Sequence, residues 1–130
     1  MFKENSSADR KRKRALVVAL SGDLGSGKTS FAQGAAKALG IKERVLSPTF
    51  VIERIYKIKR KPFSHFVHID CYRFKNYLEL ETLGWKELAR NPRNVIFLEW
   101  AERVKKILPK DSFWIHFSYT TKNTRHIRHT

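Results

Sequence analysis

The sequence predicts an α/β fold, a partly parallel sheet covered by helices on both faces. Three observations carry this. Ala15 to Ser21 (ALVVALS) is apolar without alternation, as a strand buried on both faces requires. A glycine-rich turn and a helix-like segment follow it directly. Asn94 to Trp100 (NVIFLEW) is a second buried-strand run, again followed by a short helical pattern. Strand, loop and helix in alternation is the signature of a helix-covered sheet.

The turn after the first strand carries chemistry. Gly22, Asp23, Leu24, Gly25, Ser26, Gly27, Lys28 and Thr29 spell G-x-x-x-x-G-K-[ST], a phosphate-binding loop between strand and helix. Its glycines let successive backbone N–H groups face phosphate oxygens. Lys28 reaches the β- and γ-phosphates, and the Thr29 hydroxyl suits Mg²⁺. The helix begins at Lys28 and Thr29, continues through Ser30, and presents its positive end to the same anion. The fold class is therefore a P-loop NTPase-like three-layer sandwich with a mixed, partly parallel central sheet.

The chain has 130 residues, with 27 Lys and Arg against 12 Asp and Glu, for a net charge of +15. This length predicts one domain over 15–130, preceded by a basic polar tail over 1–14. Positive charge gathers at Arg10 to Arg14, Lys57 to Lys61 and Lys122 to His129, which makes RNA a candidate partner. The bland alternative is solvated tails and a loop. The apolar runs fall short of the ~18 residues of a membrane span. The single cysteine, Cys71, fits a reducing cytoplasm.

The remaining elements follow in order. Lys28 to Leu39 is a helix with Phe31, Ala35, Ala38 and Leu39 on one side, and Gly40 ends it. Residues 50–70 form a β-hairpin, with Phe50, Ile52, Tyr56 and Ile58 on one face and Val51 and Ile55 on the other. Lys59 to Pro62 is its basic turn. Tyr77 to Arg90 is one helix with an inner stripe of Tyr77, Leu80, Leu83, Gly84 and Leu88, stopped by Asn91 and Pro92. Ala101 to Leu108 is a short helix closed by Pro109. Phe113 to Tyr119 is an aromatic strand, and Arg125 to Arg128 a candidate edge strand.

A nucleotide–Mg²⁺ site also needs a carboxylate near the loop. Asp70 ends the hairpin, and Glu99 stands near the end of NVIFLEW. Ligands of open α/β sheets bind beyond the carboxyl ends of strands, where both acids can converge on Thr29. The plainer readings are a turn cap for Asp70 and a salt bridge for Glu99. His68 reads as packed or hydrogen-bonded rather than metal-binding. Trp100 reads as core, although an indole beside a metal site also reports on nucleotide binding.

GDLGSGKTS, SPTF, HIDCYR, Glu79 with Leu83-Gly84, and LEWAER occur in this order over residues 16–107. In this the chain resembles the bacterial tRNA threonylcarbamoyladenosine biosynthesis ATPase family, TsaE, also called YjeE. The resemblance implies a weak ATPase that binds ATP and Mg²⁺. It implies work with a TsaD-like threonylcarbamoyl transferase and a TsaB-like paralogue, supporting turnover at adenosine 37 of tRNAs reading ANN codons. Carried onto this sequence, Gly22 to Ser30 hold the phosphates, and Thr29 and Glu99 ligate Mg²⁺. Asp70 assists at the metal or positions the attacking water. Lys28, Asp70 and Glu99 are then the catalytic set, and Ser47 to Phe50, with Thr49, form a switch-like segment beside the γ-phosphate. The alternative function is a small-molecule P-loop kinase, which needs an Arg-bearing lid. A GTP switch is disfavoured, because D-x-x-G and N-K-x-D do not occur.

Overall fold

A computed structural model describes residues 12–22, 27–43, 52–59, 61–121 and 124–129. Its strands are β1 (Leu16–Gly22), β2 (Glu53–Lys57), β3 (His65–Asp70), β4 (Asn94–Glu99), β5 (Phe113–Thr121) and β6 (Thr124–His129). Its helices are α1 (Lys28–Ala38), α2 (Leu78–Glu81), α3 (Trp85–Arg90) and a 3₁₀ segment, Ala101–Ile107. The strands join in one sheet of order β2-β3-β4-β1-β5-β6. β3, β4, β1 and β5 run parallel, while β2 and β6 pair antiparallel at the edges. This is the mixed, partly parallel α/β sheet that the apolar runs predict.

The central strands are apolar throughout because both their faces are covered. One face packs Val18, Leu20, Phe66, Val95 and Phe97 against α1. The other packs Val17, Ala19, Val67, Ile69, Ile96 and Leu98 against α2, α3 and the 3₁₀ segment. Phe66 and Phe97 are fully buried with ring centroids 5.2 Å apart, a spacing at which aromatic pairs gain beyond area burial.

Three expectations need correction. The segment 77–90 is two helices, because Gly84 adopts φ 78° and restarts the chain between α2 and α3. Gly84 is an exposed turn residue, and Trp85 takes the buried position instead. Ile52 lies on the opposite face from Tyr56 and Ile58: its φ of 67° breaks the alternation just before β2. Phe50 and Val51 lie outside the described residues. On α1, Ala38 is exposed, and the stripe is completed by Ala32 and Ala36. The tail expected over 1–14 lies mostly outside the described residues. From its end, Ala15 is buried and donates its N–H to the Ala89 carbonyl at 2.9 Å.

Cys71 follows β3 and is fully buried in the second cluster. Burial pushes its thiol far above its ordinary pKa, with the charges of Asp70, Glu102 and Glu99 adding to the effect. The thiolate is the reactive species. Native protein at pH 8 should therefore leave a disulfide reagent such as DTNB unreduced for as long as it stays folded, and react fully in urea. Rapid stoichiometric reaction of folded protein would contradict this burial.

Candidate functional site

The site forms at the carboxyl ends of β1, β3 and β4. β1 ends at Gly22 with φ 128°, and Gly27 precedes α1 with φ 107°. The first turn of α1 holds no acidic residue, so its positive end is not offset by a carboxylate of its own. Ser30 is exposed on that turn. Asp23, Leu24, Gly25 and Ser26 lie outside the described residues, as do Thr49 and the rest of the expected switch segment.

Lys28 is only 5% exposed. Its ammonium donates to the Gly22 carbonyl at 2.5 Å and stands 4.1 Å from the ring centroid of Trp100. A cation over an indole face at this distance is attracted by the ring quadrupole. Trp100 adopts φ 56°, which ends β4 and turns the chain into the 3₁₀ segment. Tyr72 packs on Trp100 at 5.0 Å, and the Arg103 guanidinium lies 5.3 Å from Tyr72 and 5.9 Å from Trp100. The indole expected in the core thus stands half-buried against the loop lysine.

Glu99 is the last residue of β4 and is buried. A buried carboxylate needs hydrogen-bond partners, and both of its oxygens have one. The Thr29 hydroxyl donates to Oε1 at 2.8 Å, and His68 Nε2 donates to Oε2 at 2.6 Å. This contact assigns the His68 ring proton to Nε2, while the buried Nδ1 has no hydrogen-bond partner. Asp70 is buried and stands in register with Glu99 across the parallel β3–β4 pair. Its Oδ1 accepts the Tyr72 N–H at 2.9 Å, so it caps the turn after β3 as well as flanking Glu99.

Lys28, Thr29, Asp70 and Glu99 therefore meet at one end of the sheet. The oxygens of Thr29, Glu99 and Asp70 are hard donors, a set that suits Mg²⁺ held by carboxylate, hydroxyl and phosphate oxygens. His68, Tyr72 and Arg103 were missed as members of this cluster. His68 stands two residues before Asp70, so strand alternation puts both on one face, which is the available signal for the first. The LEWAER and HIDCYR motifs contain the other two.

Comparison with known proteins shows the family and the fold. The family described as "Threonylcarbamoyl adenosine biosynthesis protein TsaE" matches residues 3–127. The chain is 34% identical over 106 residues to the tRNA threonylcarbamoyladenosine biosynthesis protein TsaE of Haemophilus influenzae, covering 82% of this chain and 65% of that protein. It is 40% identical to the protein of that name from Borreliella burgdorferi, covering 82% of this chain and 72% of the relative. The crystal structure of YdiB from Bacillus subtilis superposes with a TM-score of 0.69 at 30% identity, covering 92% of this chain and 70% of that one. The chain thus spans about two thirds of the length of its H. influenzae relative. A family match over almost the whole chain, on a sheet that brings the loop lysine and threonine to the strand-end acids, means that the chain belongs to the TsaE family.

Proposed function

We propose that the chain binds ATP with Mg²⁺ and hydrolyses it in the cytoplasm as part of the machinery that makes N6-threonylcarbamoyladenosine at position 37 of tRNAs reading ANN codons. Its partners in this reading are a TsaD-like transferase and a TsaB-like paralogue. The observation that supports it most is the 2.8 Å contact between the Thr29 hydroxyl and Glu99, which ties the phosphate-loop helix to the strand-end carboxylate. Gly22 to Ser30 cradle the phosphates, with backbone N–H groups and the helix end as donors. The Lys28 ammonium, held at the base of the loop, neutralises charge on the β- and γ-phosphates. Thr29 and Glu99 would hold Mg²⁺, with Asp70 assisting there or orienting the attacking water; when bound, the metal would draw charge from the transferring phosphoryl group. His68 fixes the Glu99 carboxylate from behind, as outer partners of metal ligands do.

The kinase alternative needs a lid carrying an arginine over the transferred group. The segment available for it joins β2 to β3 as a hairpin connection, with the Ile58 N–H bonded to the Ser64 carbonyl at 2.8 Å. Reconstitution tests the main reading. With purified transferase, paralogue, tRNA and threonylcarbamoyl donor, omitting this chain should stop modification after the first turnover. Wild-type chain should restore turnover, and Glu99→Gln should not. Full multiple turnover without the chain would refute the assignment.

A further inference from the structure

At the opposite end of the sheet lies an open groove of about 680 Å³. It is lined by Arg12, Lys59, Lys61 and Arg93, with Pro62, Phe63 and Pro92 among its apolar contacts. Among the described residues, four cations line it and no carboxylate does. Lys59, Lys61 and Arg93 are exposed, and the partly buried Arg12 has an Nε atom out of solvent without a hydrogen-bond partner. The groove is separate from the nucleotide site. Its residues adjoin the starts of β3 and β4, at His65 and Asn94, whereas Asp70 and Glu99 end the same strands. Five residues of strand put the two ends ~17 Å apart.

We propose that this groove binds the phosphate backbone of an RNA. Several cations without a compensating acid in one open groove suit a polyanion rather than a single small anion. Guanidinium forks match phosphate oxygens, and Arg12 and Arg93 supply two of them. Arg12 is followed by Lys13 and Arg14, both basic and exposed. An acidic protein segment is the competing occupant. The groove offers it charge, but its apolar lining is two prolines together with Ile58 and Phe63, which are already packed in the core. The choice of tRNA as probe rests on the proposed function, whereas the groove itself does not.

The test uses the full chain and a fluorescent tRNA transcript, titrated at two or more salt concentrations. The variant is Lys59→Gln/Lys61→Gln/Arg93→Gln, three exposed side chains outside the nucleotide site. Each phosphate contact contributes about 0.7–0.9 to the slope of log K against log salt, the lower value for single strands and the upper for duplex. The variant's slope should therefore fall by about 2–3, with affinity at moderate salt down on the order of 100-fold. Its ATP affinity should equal that of wild type, which separates this proposal from the nucleotide site. Undetectable tRNA binding by wild type at low salt overturns the proposal. So does an unchanged slope in the variant, which moves the RNA elsewhere. So does polyglutamate of matched charge binding at least as tightly as tRNA, which assigns the groove to an acidic partner. Equal binding of tRNA and an unrelated RNA supports the groove while removing tRNA as its particular ligand.

Discussion

Lys28→Ala should lower Mg²⁺-dependent ATP hydrolysis by at least ~100-fold, the scale on which loss of one preorganised charge donor acts on a transferring group. The lysine's position makes the effect specific. The residue is almost wholly out of solvent, with its ammonium bonded to the Gly22 carbonyl and seated over Trp100. A cation placed this way interacts with incoming phosphate in a medium of lower dielectric than water, where each charge contact is stronger. A conformational check comes with the same variant. Removing the ammonium from 4.1 Å above the indole should shift Trp100 emission even without nucleotide, while the far-ultraviolet circular dichroism stays that of the folded chain. Hydrolysis and nucleotide affinity equal to wild type in a folded variant would exclude Lys28 from the site.

Gly22→Ala should be strongly destabilising. A Cβ at Gly22 would lie 2.0 Å from the Phe117 carbonyl oxygen and 3.0 Å from the Phe117 Cβ. The oxygen belongs to the backbone of β5, which pairs in register with Gly22, so it cannot move aside as a side-chain tip would. The φ of 128° adds strain for any residue with a side chain. Together these should cost about 3 kcal/mol or more, or roughly 10 °C in Tm for a domain of this size. Gly34→Ala is the matched control. Gly34 lies within α1, where an added Cβ meets nothing within 4 Å beyond its own helix backbone and chain neighbours, so alanine there should stabilise by about 0.5–1 kcal/mol. A Gly22→Ala Tm within ~2 °C of wild type would show that β1 and β5 separate easily at this point.

The site was legible in the sequence wherever its information is contiguous. The strand, loop and helix from Leu16 to Leu39 follow each other without interruption, and local spacing states their chemistry. Glu99 and Asp70 were legible as strand ends. Their alignment was not, because register between β3 and β4 depends on the segment of chain between them. His68 bonds to Glu99 across 31 residues of sequence, and a period-two pattern gives its face but not its partner. Gly84 broke a predicted helix because the apolar spacing continues through it: periodicity records which side faces inward and is blind to a single left-handed residue. Ile52 misled for the same reason, with one positive φ shifting the alternation that followed.

The sheet's outermost strands carry a further consequence. An edge strand presents unpaired backbone groups on which a second molecule can build. Here one edge is β2, which carries Arg54 and Lys57, and the other is β6. Two copies approaching through their β2 edges would bring these like charges together before any backbone bond formed. The basic residues thus have a use that requires no RNA: they discourage the sheet from growing into an aggregate, and that protection weakens as salt rises.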